Sequence, residues 1–260
     1  MEQLSERQNT ILRHVIEAHI ETTQPVGSRY LSEKYAWSFS PATIRHEMGV
    51  LEEIGYLTHP HTSSGRIPTD HGYRFYLDHT SFEDDLTEEP FSQAAAAMTT
   101  DAEEETAEDF LDRVSLFLSS ATREVGLTLM PFAGSSPKEK THRLKLSLQG
   151  LMHILEQPEF QDVRKIKSLL GAFEEKAAMT SWLLKHASTE RVSVSVGHEH
   201  EHEALEDCAV VTACYSMNGV CQGAIAVLGP KRMPYGRIIP LVSRMAVVVG
   251  NILERMEIEE

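Results

Sequence analysis

Residues 40–58 read SPATIRHEMGVLEEIGYLT, and this stretch determines the fold that we predict for the N-terminal part of the chain. Ser40 has a side chain that can cap a helix. Pro41 suits the first helical position, because its missing N–H would have no partner there. The apolar residues that follow recur at helical spacing and would face inward: Ile44, Met48, Leu51 and Ile54. Gly55 can adopt the left-handed conformation that ends a helix, so the sequence predicts a helix over residues 41–54.

Two helical patterns precede this helix, and a turn-rich hairpin follows it. Residues 5–23 carry one apolar face behind Ser5, a candidate cap, and Ser28 can cap a second, short helix. Short strands are predicted at residues 56–58 and 66–68, with a turn-rich tip between them. The order helix, short helix, helix and hairpin is that of a winged helix-turn-helix domain.

A domain of this kind binds DNA by placing the second helix of the motif in the major groove. On that helix, Arg45 can bind guanine through two hydrogen bonds, and Thr43 can contact a phosphate or a thymine methyl group. Ser28 and Arg29, on the preceding helix, would face the DNA backbone. The complete set of predicted DNA-binding residues is Ser28, Arg29, Ser40, Ala42, Thr43, Arg45 and His46 on the helices, and Thr62, Ser63, Ser64, Gly65 and Arg66 at the hairpin tip.

The net charge of -15 argues against DNA binding, but the acidic excess is unevenly distributed. Residues 80–110 hold eleven Asp and Glu and no Lys or Arg, whereas residues 1–79 hold seven basic and ten acidic residues. Seven of the thirteen histidines also lie in residues 1–79, and a phosphate surface would favour their protonation. We therefore predict a DNA-binding domain at residues 1–79 and an acidic linker at residues 80–109.

Residues 110–260 are predicted to form an α+β regulatory domain, because strands backed by helices are typical of sensor-like or dimerisation domains. Asn218-Gly219 is a hairpin-turn signal between two of its strands. The predicted elements are a helix from Phe110, a strand at 125–130, a mainly helical stretch at 144–187, strands at 192–196, 209–215 and 223–228, and a closing helix at 238–256.

The sequence offers little support for catalysis, for a cofactor or for membrane insertion. It has no run of about 18 apolar residues, and its polar N-terminus is unlike a secretory signal. Cys208, Cys214 and Cys221 leave one cysteine unpaired in any disulfide scheme, so we expect a reduced, cytoplasmic protein with cysteines in its core and a redox role as the alternative. Since no nucleophile with a base, no phosphate-binding loop and no carboxylate pair is evident, we expect that the protein is not an enzyme.

Two clusters leave alternatives open. The stretch His198–Glu203 alternates His and Glu, so an extended conformation would place three histidines on one face for a metal, but we favour an exposed polar loop without metal. Arg232, Tyr235 and Arg237 either line a small-molecule pocket or brace the turn between the last strand and the closing helix.

Several motifs at both ends of the chain resemble those of one family. They are LSERQ (4–8), PVGSR (25–29), SPATIR (40–45), LEEIGYL (51–57), HTSSGRIPTD (61–70) with GYR (72–74), and GAIAVLGPKRMPY (223–235). In these motifs the chain resembles the heat-inducible transcription repressor HrcA family. The resemblance implies a homodimer that binds an inverted-repeat operator, CIRCE, upstream of chaperone operons, that releases it on heat shock, and that has the GroE chaperonin as a partner.

The resemblance also implies a GAF-like domain that an inserted dimerisation domain interrupts. In this chain the passage from Met130 to Leu151 is much shorter than that pattern, so we expect most of the insertion to be absent. Dimerisation would then fall to helices in residues 110–187 or to the closing helix. Two alternatives to a heat-responsive repressor are a ligand-responsive winged-helix repressor and a protein-interaction module that does not bind DNA.

Overall fold

The structure is a computed structural model. It describes residues 4–37, 39–61, 65–82, 98, 106–132, 143–187 and 192–259. The chain divides into two compact units: residues 1–81 with 231–234, and residues 82–230 with 235–260.

The first unit has three helices, a short hairpin and a fourth helix: α1 (Glu6–Thr22), α2 (Ser28–Tyr35), α3 (Pro41–Glu53), β1 (Leu57–Thr58), β2 (Ile67–Pro68) and α4 (Asp70–His79). Ser5 and Ser40 cap α1 and α3, as predicted, by accepting hydrogen bonds from the backbone N–H of Gln8 and Thr43. The short helix α2 is confirmed and ends at Tyr35, but its predicted cap was wrong, because Gly27 occupies the N-cap position without a side-chain bond and Ser28 is the first helical residue.

The core of the first unit is built from the apolar faces that the spacing predicted. Ile44, Met48 and Leu51 of α3 are buried, and α1 and α2 contribute further side chains with no exposed surface: Ile11, Leu12, Val15, Ile16 and Leu31. Gly55 has φ +87°, which confirms the left-handed residue predicted at the end of α3.

The second unit contains a five-stranded antiparallel sheet in the order β4-β3-β7-β6-β5. The strands are β3 (Val125–Phe132), β4 (Arg143–Gln149), β5 (Ser193–Val196), β6 (Cys208–Met217) and β7 (Val220–Pro230). The helices are α5 (Ala107–Thr122), α6 (Leu151–Leu155), α7 (Val163–Glu174), α8 (Lys176–His186) and α9 (Tyr235–Glu259). Asn218 and Gly219 both have positive φ, which confirms the turn predicted between β6 and β7.

Helices cover both faces of this sheet. Leu127 and Leu129 of β3 belong to the buried cluster that contains Leu169 of α7 and Leu183 of α8. The alternate residue Thr128 points to the other face, where its hydroxyl donates to the Leu111 carbonyl of α5 at 3.1 Å. Helices α5 and α9 contact each other and the sheet on that face.

The prediction of a mainly helical stretch from residue 144 was wrong at its start, because residues 143–149 form β4. Its sequence, RLKLSLQ, places leucine at every second position, which is the period of a strand, and β4 pairs with β3 along its whole length. The helical prediction holds for the rest of the stretch, where α6, α7 and α8 lie.

Two expectations from composition concern α9 and the cysteines. Residues 235–256 of α9 pass a length and hydropathy test for crossing a membrane, but charged residues interrupt them and many of their side chains are buried in the second unit. The cysteines are not three core thiols, since Cys214 and Cys221 form a disulfide and only Cys208 lies outside it.

Candidate nucleic-acid interface

Helix α3 presents the predicted contact residues on the side that is not buried. Ala42, Arg45 and His46 are exposed, and Thr43 is half-buried. The exposed Ser40 hydroxyl accepts from the Thr43 amide at 3.1 Å and lies 3.0 Å from the Thr43 hydroxyl. The N-terminal end of α3, with its cap, thus carries a hydroxyl pair, a small side chain and a cation, a combination that suits close approach to a DNA groove.

Helix α2 separates the two residues that the sequence predicted there. Arg29 is exposed, whereas Ser28 is buried with 6% of its surface accessible. A buried hydroxyl at this position supports the packing of α2 rather than a phosphate contact. Of the two predicted residues on this helix, only Arg29 is therefore accessible to DNA.

The base of the hairpin is held by Arg66. Its guanidinium lies 2.7 Å from the Glu52 carboxylate of α3, and its backbone exchanges two hydrogen bonds with Val26 at 2.8 and 2.9 Å. Gly65 is needed beside it, because a Cβ there would lie 2.5 Å from the Val26 backbone. Arg66 therefore fastens the hairpin to α3 and to the loop before α2. The predicted contacts at positions 62–64 lie outside the described residues.

Ion pairs distinguish the basic residues of this unit. Within the described residues, five of the seven basic side chains in residues 1–79 pair with a carboxylate: Arg7 with Glu47, Arg13 with Glu17, Lys34 with Glu21, Arg66 with Glu52 and Arg74 with Asp78. The hydrogen bond with Glu21 raises the pKa of Lys34 above its ordinary value. Among the described residues no carboxylate pairs with Arg29 or Arg45, and both are exposed. The two basic side chains that lack such a partner there are thus residues that the sequence predicted to face DNA.

A buried carboxylate that sequence reasoning missed joins α1 to α3. The Glu47 side chain is 5% exposed, accepts from Arg7 at 2.5 Å and accepts from the Gln8 amide at 3.1 Å. Gln8 also closes the capping box with Ser5 at the start of α1. The available signal was the position of Glu47 inside the apolar stripe of α3, where a charge requires partners when it is buried.

We expect Glu47→Ala to destabilise the first unit by about 2 kcal/mol, since it leaves Arg7 and Gln8 without their shared acceptor. The cost is below that of a fully buried pair because the Arg7 side chain is 48% exposed. Urea unfolding followed by the fluorescence of Trp37, in a Trp182→Phe background, would measure it. Glu53→Ala, at an exposed position of the same helix, is the control, and an equal loss in both variants would contradict the role of Glu47.

An aromatic cluster shapes the connection between α2 and α3. The rings of Tyr35 and Trp37 stack at 5.4 Å, and His14 of α1 meets both edge-on at 4.1 and 4.9 Å. Burial raises the pKa of Tyr35. Arg7 lies 5.9 Å from the ring of Phe39. These contacts connect the turn to α1, whose Arg7 and Gln8 also bind Glu47 of α3. The orientation of α3 therefore depends on α1 along much of its length.

The histidine-rich stretch is not extended. It forms two short 3-10 turns, Gly197–His200 and Glu203–Leu205, so its three histidines do not share one face. His200 is buried, with its Nε2 3.0 Å from the Cys208 carbonyl, which corrects the prediction of an exposed loop at this residue. Among the described residues no three His, Cys, Asp or Glu side chains form a group that could hold a metal ion.

The predicted pocket residues around the last turn differ in their exposure. Tyr235 is buried, Arg232 is half-buried and Arg237 is exposed. A separate cleft of about 530 Å³ lies between α7 and residues 203–207, where Lys165 and Asp207 form an ion pair at 2.5 Å.

Comparison with known proteins relates the chain to one family. Residues 79–239 match the family model described as HrcA protein C terminal domain. A protein of Natranaerobius thermophilus named heat-inducible transcription repressor HrcA is 30% identical over 343 residues, covering 99% of this chain and 99% of that protein. The protein of the same name from Pelotomaculum thermopropionicum is 29% identical over 341 residues, covering 97% and 98%.

One solved structure shares the fold. It is described as a hypothetical protein at 2.2 Å resolution, and it matches with a TM-score of 0.77 at 20% identity over 97% of this chain and 99% of that one. The 341 aligned positions with the P. thermopropionicum protein exceed the 260 residues of this chain by 81, so at least that many positions of the alignment have no counterpart here. Because the alignment covers both chains almost from end to end, most of the positions that this chain lacks lie inside the sequence rather than at its ends. By the family match and the near-complete coverage of these relatives, the chain belongs to the HrcA family.

Proposed function

We propose that the chain is a transcription repressor of heat-shock chaperone operons that binds an inverted-repeat operator of the CIRCE type as a homodimer. The observation that carries this proposal is the pair Arg29 and Arg45: both are exposed and have no carboxylate partner in the described part of the chain, whereas the other five basic residues of positions 1–79 are paired. DNA binding requires cations that can neutralise phosphate or donate to guanine, and these two meet that requirement.

In this proposal residues 1–79 act as a winged helix-turn-helix domain. Arg45 binds a guanine edge, Arg29 binds phosphate, and the hairpin tip acts as the wing. The DNA-facing set is Arg29, Ser40, Ala42, Thr43, Arg45 and His46, together with Thr62, Ser63, Ser64 and Gly65. Ser28 and Arg66 hold the domain together instead, since Ser28 is buried and Arg66 is bound to Glu52.

Residues 110–260, which make up most of the second unit, are proposed to be the GAF-like regulatory domain, preceded by the acidic linker at residues 80–109. The family's insertion would fall between β3 and β4, which only ten residues, 133–142, connect in this chain. Dimerisation then falls to a helical surface, and the exposed apolar residues Leu116 on α5 and Val247 on α9 support this assignment. A palindromic operator requires such a two-fold dimer, since one domain contacts one half-site.

The test is a titration of the protein against an inverted-repeat CIRCE duplex and a scrambled duplex at several salt concentrations. We expect a preference of about a thousandfold or more for the repeat, with a steep salt dependence. Equal and weak binding to both duplexes would contradict specific recognition, and salt-independent failure to bind either would favour a protein-interaction module.

Release on heat stress is proposed to follow from marginal stability, since a small change in free energy can remove the binding-competent state and a chaperonin can restore it. We expect mild heating to abolish operator binding, and we expect the addition of GroE with ATP to restore it in the same buffer. Operator affinity that survives heating until the chain unfolds, but changes with a small metabolite, would instead support a ligand-responsive repressor.

A further inference from the structure

The hairpin of β6 and β7 carries a pair of linked cysteines close to its turn. Cys214 and Cys221 are joined by a disulfide, their Cα atoms are 6.0 Å apart, and seven positions separate them. Cys214 is 9% exposed and Cys221 is half-buried. The third cysteine, Cys208, is fully buried at the other end of β6 and lies outside the disulfide.

An irregularity in strand pairing brings the two sulfur atoms to one face of the hairpin. Cys214 pairs with Ala224 and Tyr215 with Gly223, but the register then shifts so that Ser216 pairs with Cys221, and Gln222 is the extra residue of a β-bulge. Side chains that oppose each other lie on the same face, and Ser216 shares a face with Cys214 because it is two positions away. Without the bulge Cys221 would pair with Met217 and point to the opposite face.

Helix α9 contacts the hairpin beside the bulge and at the turn. Gly250 of α9 lies so close to the Ser216 carbonyl that a Cβ would not fit, and the backbone N–H of Asn218 donates to the Glu254 carboxylate of the same helix. A bond between Cys214 and Cys221 therefore closes a small ring around the segment that contacts α9.

We propose that Cys214 and Cys221 form a reversible dithiol–disulfide site whose oxidant is a low-molecular-weight disulfide of the glutathione class. In proteins of reducing compartments, disulfides are usually transient and responsive to the redox state rather than structural. The more accessible Cys221 thiolate attacks glutathione disulfide, forms a mixed disulfide and releases one glutathione thiol. The Cys214 thiolate then attacks the Cys221 sulfur and releases the second. The two cysteines lose two electrons and two protons, and glutathione disulfide becomes two glutathione thiols.

The test counts alkylated cysteines in the full-length protein after equilibration at a series of ratios of reduced to oxidised glutathione. At excess reduced glutathione we expect three alkylated cysteines. At excess oxidised glutathione we expect one, Cys208, with peptide mapping showing a direct Cys214–Cys221 link. Adding reduced glutathione to the oxidised protein should restore three.

Serine variants identify the pair. Cys208→Ser should keep the transition, whereas Cys214→Ser or Cys221→Ser should abolish the internal link and leave a single glutathione adduct at most. Any of three results would overturn the proposal: three alkylated cysteines at every glutathione ratio, a disulfide that excess reduced glutathione never opens, or a disulfide that includes Cys208. These readouts are independent of DNA binding, so they stand or fall separately from the repressor function.

Discussion

Replacing Arg45 with alanine is expected to weaken binding to the inverted-repeat duplex by roughly ten- to a hundredfold at constant salt, which is the usual cost of losing one two-bond contact to guanine. Arg45 lies exposed on α3, and no carboxylate of a described residue is bound to its guanidinium and would have to be released before DNA binds. Alanine preserves the helix because it has the highest helical propensity. Affinity for the scrambled duplex should fall much less. Fluorescence anisotropy with both duplexes measures the difference.

Two further arginine variants separate base recognition from simple charge. Arg74→Ala removes the same charge from α4, where Arg74 is paired with Asp78 at 3.3 Å, so we expect little change in affinity for either duplex. Arg29→Ala should weaken binding to both duplexes about equally and reduce the slope of log affinity against log salt by about one, as for the loss of a phosphate contact. Equal losses in the Arg45 and Arg74 variants would mean that net charge alone governs binding, and would refute the assigned role of Arg45.

The sequence predicted best those features that depend on neighbouring residues alone. The Ser40 cap, the left-handed Gly55 and the Asn218-Gly219 turn each follow from the chemistry of one or two residues, and the structure confirms all three. The inward stripe of α3 was predictable for the same reason, since helical spacing is a local property. These signals sufficed to predict where the candidate interface begins and which side of α3 is exposed.

The features that sequence reasoning missed depend on contacts between distant residues. Arg66 resembled a DNA-binding arginine until its partner, Glu52, was known, and the role of Glu47 required the position of Arg7. The cysteine pair depends on a bulge, which shifts the register of two strands and cannot be read from composition. The strand β4 is different, because its alternating leucines were visible and were outweighed by the helical pattern that follows them.

The close contact between α5 and β3 is another such feature, and it leads to the prediction with the largest expected effect on stability. Ser115 and Ser119, which are buried and one helical turn apart, place the backbone of α5 directly over Gly126 of β3. A Cβ at position 126 would lie 2.9 Å from the Ser119 nitrogen and closer still to the Ser115 carbonyl, within the 3.0 Å limit that real Cβ atoms essentially never cross. Since the obstacle is backbone, no side-chain rotation can relieve it.

We expect Gly126→Ala to destabilise the second unit by about 3 kcal/mol, the upper part of the range for overpacking, because α5 must move off the sheet and its apolar residues then lose contact with β3. Trp182, whose indole donates to the His200 carbonyl at 2.9 Å, reports on this unit, so urea unfolding in a Trp37→Phe background would measure the change. Gly171→Ala is the matched control. Gly171 lies within α7 and a Cβ there meets nothing within 4 Å, so this variant should be stabilised by about 0.5–1 kcal/mol. If Gly126→Ala were as stable as Gly171→Ala, α5 would not pack on β3 at the distance described, and the tight helix-to-sheet contact would have to be abandoned.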